Sequence, residues 1–182
     1  QALGMLRSGL PLTGELLALA SSSHSGEDFH LAAVRQILQL AGLDESALQT
    51  PPSYPLEPRI HAQLLRAGGS RAPILMDCSG KHAAMLLTCV ANSWPTDSYL
   101  DPQHPLQQAI TQTFTELTGA EPHVIGTDGC GAPLLATTLK ALAGAMGTFV
   151  RAPEGSLEHR LSQAMMAHPT YVSGSQRPEL PF

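Results

Sequence analysis

Pro51, Pro52, Pro55 and Pro58 fall within one short stretch, and no helix or central strand can run through it. Each proline fixes its own φ, lacks an N–H and pushes the residue before it towards extended backbone. The chain therefore reads as two helical stretches joined by an extended segment. In the first, Ala2, Leu3, Met5 and Leu6 have the look of a helix, and Thr13 can cap another over 13–20. Leu31, Val34, Ile37, Leu38 and Ala41 recur at three- and four-residue spacing, which predicts an amphipathic helix over 28–41. Gly42 ends it, and Asp44 caps a short helix over 43–48.

Beyond the prolines, Ile60 to Ala67 is a short helix stopped by Gly68 and Gly69. Pro73 to Met76 is a short apolar approach, read as a buried strand. It leads into a helix over 80–91, whose small first residues allow another backbone close. Cys89 on that helix is a core residue, since a free cysteine behaves as a small hydrophobe. Asp101-Pro102-Gln103-His104-Pro105 starts a helix to about Leu117, closed by Gly119. His123 to Gly126 is a candidate strand. Residues 132–149 read as one long apolar helix with Pro133 in its first turn, and its stripe of Leu135, Leu139, Leu142 and Met146 reads as core. Ser156 caps a last helix over 156–167, ended by His168 and Pro169, and Pro178 to Phe182 shows no periodicity. The sum is about eight helices and two or three short strands, a helix-rich chain.

A chain of 182 residues with 43% hydrophobic and 14% charged residues can build one real core. With 10 Lys plus Arg, a net charge of −5 and 4% aromatic residues, it carries no basic stripe for nucleic acid or a membrane surface. No apolar run reaches the ~18 residues a bilayer span needs. Three cysteines make an odd count and no disulfide framework, which suits a reducing, cytoplasmic setting. The chain opens on Gln1 inside a helical run, so 1–182 is expected to be a single domain with its ends cut.

Two loops concentrate reactive groups. Asp77-Cys78-Ser79-Gly80-Lys81-His82 sets a thiol, a hydroxyl, an ammonium and an imidazole at the start of a helical run. Gly126-Thr127-Asp128-Gly129-Cys130-Gly131 offers a second thiol and a carboxylate at what reads as another helix start. Helix N-termini favour negative charge, so both cysteines are candidate thiolates. Three readings follow. Cys78 and Cys130 hold zinc together, with Lys81 one turn along or His82 as the more conventional ligand. Alternatively Cys78 is a nucleophile with His82 or His24 as its base. In the third, both cysteines are structural. Asp128 either orients a metal-bound water or makes a turn. Ser21 to Glu27 is rich in hydroxyls and reads as a capped turn.

Four short motifs occur in order: Ser23-His24-Ser25-Gly26-Glu27, Cys78-Ser79-Gly80-Lys81-His82-Ala83, Asp101-Pro102-Gln103-His104-Pro105, and Asp128-Gly129-Cys130-Gly131-Ala132-Pro133. Together they resemble the asparaginase II family, the zinc-binding L-asparaginases, from about residue 15 to Pro169. The resemblance implies an α/β (α+β) fold of serine β-lactamase type, of which this chain is the helix-rich central portion with few short strands. It implies hydrolysis of the side-chain amide of L-asparagine, a zinc ion on Cys78, Lys81 and Cys130, and a homodimer. Asp128 would hold water or substrate, Ser23 or Ser25 would support the nucleophile with Ser23 favoured, and His24, His82 and Gly131 would contact substrate.

The chain departs from that pattern in two places. The family's nucleophile is the serine of a Ser-x-x-Lys motif. The only lysines here are Lys81 and Lys140, preceded three residues earlier by Cys78 and Thr137. Residues 76–77 are Met-Asp where the family usually carries Asn-Asn, which adds a charge beside the metal residues. The resemblance thus supplies the metal half of the site without the nucleophile half. The expected enzyme is an asparaginase-like amidohydrolase of little or no activity as this chain. The alternative is a non-catalytic zinc-binding remnant of the fold.

Overall fold

The computed structural model describes residues 1–176; the aperiodic Pro178–Phe182 tail lies outside them. The described chain is a helix-rich α+β arrangement. The elements run α1 (Ala2–Arg7), α2 (Gly14–Ala20), α3 (Asp28–Leu40), α4 (Pro58–Arg66), α5 (Ser79–Ala91), α6 (Pro105–Thr118), β1 (Val124–Thr127), β2 (Pro133–Ala136), α7 (Leu139–Val150), α8 (Leu157–Ala167) and α9 (Pro169–Val172). No helix among the described residues is long and apolar enough to cross a membrane.

Helix α5 is the axis of the core. From Cys78 to Cys89 every residue except Lys81 is buried, as expected of a helix apolar on all sides. It packs against α3, α2, α1 and α6. The amphipathic face of α3 turns Ala33, Val34, Ile37 and Leu38 inward, and Gly42 follows it at φ 68°. Helix α6 ends on Gly119 at φ 72°, in the left-handed conformation that suits glycine. The proline segment runs extended and makes one antiparallel bridge, Ser53 to Ala72.

Two expectations need correcting. Pro73–Leu75 is a short 3-10 turn, not a strand. Pro73 fits its first position, and the Ser79 hydroxyl holds the Ile74 carbonyl at 2.8 Å, so that backbone pairs locally rather than with a neighbouring strand. The larger correction concerns residues 132–149. Pro133–Ala136 is β2, antiparallel to β1 with Thr127 opposite Pro133 and Val124 opposite Ala136. Gly131, at φ 90°, reverses the chain, and the Asp128 N–H donates to the Ala132 carbonyl across the turn. The helix restarts only where Thr138 caps the Ala141 N–H at 3.2 Å. Of the apolar stripe only Leu135 packs against the core: Leu139 is 82% exposed and Met146 52%, while Leu142 and Met146 form one wall of a cavity.

The small residues at the start of α5 do admit another backbone. A Cβ on Gly80 would stand 2.7 Å from Leu19 Cγ and 3.1 Å from the Leu19 carbonyl oxygen. Helix propensity alone favours Gly→Ala by about 1 kcal/mol. Overpacking costs about 1–3 kcal/mol and wins as the side chain grows. Gly80→Val is expected to lower stability by about 2 kcal/mol. Gly144→Ala, on the exposed face of α7 where a Cβ meets nothing within 4 Å, should raise it by about 0.5–1 kcal/mol. Urea denaturation of the two variants checks this. A Gly80→Val protein as stable as the parent would mean that α2 and α5 are not packed this closely.

Candidate metal centre

The site forms where the N-terminus of α5 meets the β1–β2 turn. Cys78 is the residue before the helix, and its carbonyl accepts the His82 N–H at 3.1 Å. Lys81 lies one turn further on, on the side facing the hairpin. The hairpin brings in Cys130, 1% exposed, and Asp128. The ligand atoms of Cys78, Asp128 and Cys130 all lie within 4.8 Å of one another. Lys81 Nζ stands 3.4 Å from Cys130 Sγ and 3.7 Å from Asp128 Oδ2. Cys130 Sγ is 3.4 Å from that same Asp128 oxygen. The other Asp128 oxygen accepts the Gly129 N–H at 2.7 Å, which fixes the carboxylate.

The two thiols share their protons unequally. Cys130 is held well below the ordinary thiol range, first by its hydrogen bond with Cys78 and then by His82, the Ala132 backbone N–H and the Lys81 charge, against the cost of burial. Cys78 is pushed well above that range, by its bond to Cys130 and by burial. Both were expected as helix-start thiolates; only Cys78 opens a helix, and Cys130 sits in a hairpin turn. Two cysteine sulfurs, a carboxylate and one lysine nitrogen converge in a half-buried corner. That donor set fits a borderline-soft cation such as zinc, which takes sulfur, nitrogen and carboxylate oxygen together.

The serine-rich loop closes over this corner. Ser23 Oγ lies 3.7 Å from Cys78 Sγ, and Ser23 is exposed. Two bonds from His24 tie that loop to the Cys78 loop. Its backbone N–H donates to the Asp77 carbonyl at 2.9 Å, and its Nε2 meets Ser79 Oγ at 2.9 Å. The Ser79 proton is committed to the Ile74 carbonyl, so His24 is the donor and its Nδ1 is left without a partner. His24 is fully buried, stacks on His30 at 5.1 Å, and is pushed down to about 3 by burial and by His30. Ser25 is buried too, and its hydroxyl donates to Glu27 at 2.9 Å.

The site residues named from sequence therefore separate into groups. Ser23, Cys78, Lys81 and Asp128 line one end of a cavity of about 700 Å³. Cys130 is not in that lining but lies against Lys81 and Asp128, which are. His24, Ser25 and His82 are buried away from it, and Gly131 serves the hairpin turn with its N–H on the Asp128 carbonyl. Most of the rest of the cavity wall is apolar, from Ile110, Phe114, Leu142, Met146 and Phe149 among others. Tyr99 escaped the sequence reading. It is fully buried, and its hydroxyl lies 2.8 Å from His82 Nδ1. A lone tyrosine after a turn gives no local signal of such a contact.

No curated protein matches the chain. The sequence model of the L-asparaginase II family does match, over residues 1–181, wider than the stretch that carries the four motifs. The chain that brings the cysteine of one loop against the cysteine and aspartate of the other belongs to the L-asparaginase II family.

Proposed function

We propose that this corner is the metal-binding part of an asparaginase site. The reaction is L-asparagine plus water to L-aspartate plus ammonia. The observation that carries the reading is the convergence of Ser23, Cys78, Lys81 and Asp128 in the wall of one cavity, with Cys130 against Lys81 and Asp128. Cys78, Lys81 and Cys130 would hold zinc, which supplies a Lewis acid towards an amide oxygen. Asp128 is placed to accept a proton from a water or to receive the substrate's ammonium group. Ser23 offers its hydroxyl to the reacting centre. Lys81 must give up its proton to act as a ligand, and the neighbouring thiolate and carboxylate then lose their counter-charge unless a cation replaces it. The serine β-lactamase-like architecture and a homodimer belong to the same proposal, the latter open to sedimentation velocity.

A second reading, favoured by Met76-Asp77 where the family usually carries Asn-Asn, is a zinc-binding remnant that does no chemistry. Calorimetric titration of L-asparagine into the zinc-loaded chain separates the two. Binding that requires zinc and is lost in Asp128→Ala supports the asparaginase site. No binding while zinc is in place leaves the remnant.

A further inference from the structure

The cavity that ends on Lys81 and Asp128 is larger and more apolar than L-asparagine asks for. At about 700 Å³ it falls among sites of roughly 300–1,000 Å³ that take drug-sized molecules, mostly apolar with a few polar groups that fix orientation. L-asparagine is small and polar along its whole length, and has nothing to set against most of this wall.

The wall follows from helix spacing. Ile110 and Phe114 on α6 are four apart, and Leu142, Met146 and Phe149 on α7 follow at steps of four and three, so each set projects from one side of its helix. Helices α6 and α7 pack on each other, and α1 and α8 add Leu3 and Leu161 to the same lining. Leu3, Ile110 and Leu161 are buried and make a fixed floor. Leu142 is 44% exposed and Met146 52%, which puts the open side of the cavity on α7.

The polar end selects a head group. Lys81 and Asp128 bring opposite charges to the wall, 3.7 Å apart. An ammonium only donates hydrogen bonds and a carboxylate only accepts them. A neutral carboxamide suits both, with its NH2 for Asp128 and its oxygen for a positive partner, Lys81 or the cation that Lys81 would help to hold. A carboxylate head suits this end less, because it adds a second negative charge beside Asp128.

We propose that the cavity takes a primary amide with an unbranched apolar chain, its head at the Lys81–Asp128 end and its chain along the α6 and α7 stripes. The inference rests on the asparaginase reading only for the place of the amide head. The seat of the chain stands on the cavity wall alone.

Calorimetric titration of hexanamide, octanamide and octanoate into the purified chain tests this. Burying apolar chain should raise affinity about threefold per methylene, so octanamide should bind about tenfold tighter than hexanamide. Octanoate should bind about tenfold more weakly than octanamide. Met146→Gln and Leu142→Gln change half-exposed side chains, leave the floor intact and should remove most of the gain from hexanamide to octanamide. Leu139→Gln, on the same helix but outside the lining, should keep it. Equal affinity for the two amides overturns the proposal, as does octanoate binding as tightly as octanamide. A full chain-length gain retained in Met146→Gln and Leu142→Gln also overturns it, since that marks adsorption elsewhere on the surface. L-asparagine has no apolar chain, so its zinc-dependent binding without a chain-length gain sinks this inference alone. The gain without any asparagine binding sinks the asparaginase reading alone.

Discussion

Replacing Cys78 and Cys130 together with serine should remove zinc from the chain, while the parent retains about one ion per molecule. The two sulfurs come from loops far apart in sequence, and their ligand atoms meet within 4.8 Å together with Asp128. Serine hydroxyls keep nearly the same volume but stay protonated at neutral pH, so the site loses its soft, charged donors. Structural zinc sites of this donor class bind with about 10–16 kcal/mol, and loss of both thiolates takes most of that. The fold should survive, because the substitutions are close to isosteric and leave the packing of α5 intact. Elemental analysis of both proteins, with circular dichroism as the check on folding, decides the matter. Zinc retained by the folded double variant would place the metal elsewhere. An empty parent would mean that Cys78, Lys81, Cys130 and Asp128 do not hold the ion without further groups. Alkylation of the parent disposes of Cys78 as a nucleophile: it should spare Cys78 while zinc is bound and reach it after chelation.

Much of this centre was legible because it depends on local spacing. Cys78 and Lys81, three apart at a helix start, had to project together, and Gly42 and Gly119 marked the ends of α3 and α6 where left-handed backbone is needed. The hairpin was not legible, since Pro133-Leu134-Leu135-Ala136 is a short apolar run that suits a strand or a buried helix equally. What decides it is pairing with β1 through the turn at Gly131, a contact between segments rather than a property of either one. The unequal sharing of protons by Cys78 and Cys130 is of the same kind, because it exists only once the loops touch. Ser23 and Ser25 were inseparable by sequence, and only the fold turns one towards the cavity and the other onto Glu27.

Acid should loosen the same clasp that aligns the two loops. His24 is held at about 3 in the folded chain, against an ordinary value of 6.5, because burial disfavours its charged form and His30 stacks beside it. Above the ordinary value both folded and unfolded chains carry a neutral ring, and stability is independent of this group. As pH falls below 6.5 the unfolded chain takes up a proton that the folded chain refuses, so stability is lost by about 1.4 kcal/mol per pH unit, or about 2 kcal/mol by pH 5. That is a large share of the 5–15 kcal/mol of a typical domain. His30, also lowered mainly by burial, adds loss of the same sign. The structural consequence is specific. A proton on the unpartnered His24 Nδ1 would be a buried orphan donor, and relieving it means lifting His24 out of its contacts with Asp77 and Ser79. Ser23 would then part from Cys78 before the rest of the core yields. His24→Gln keeps an N–H for Ser79 and cannot titrate, so it should stay folded at neutral pH and lose part of the acid slope. Denaturation midpoints at pH 7 and pH 5 measure both proteins. A parent equally stable at the two values refutes the buried neutral histidine, and a His24→Gln protein with the parent's full slope moves the effect to another group.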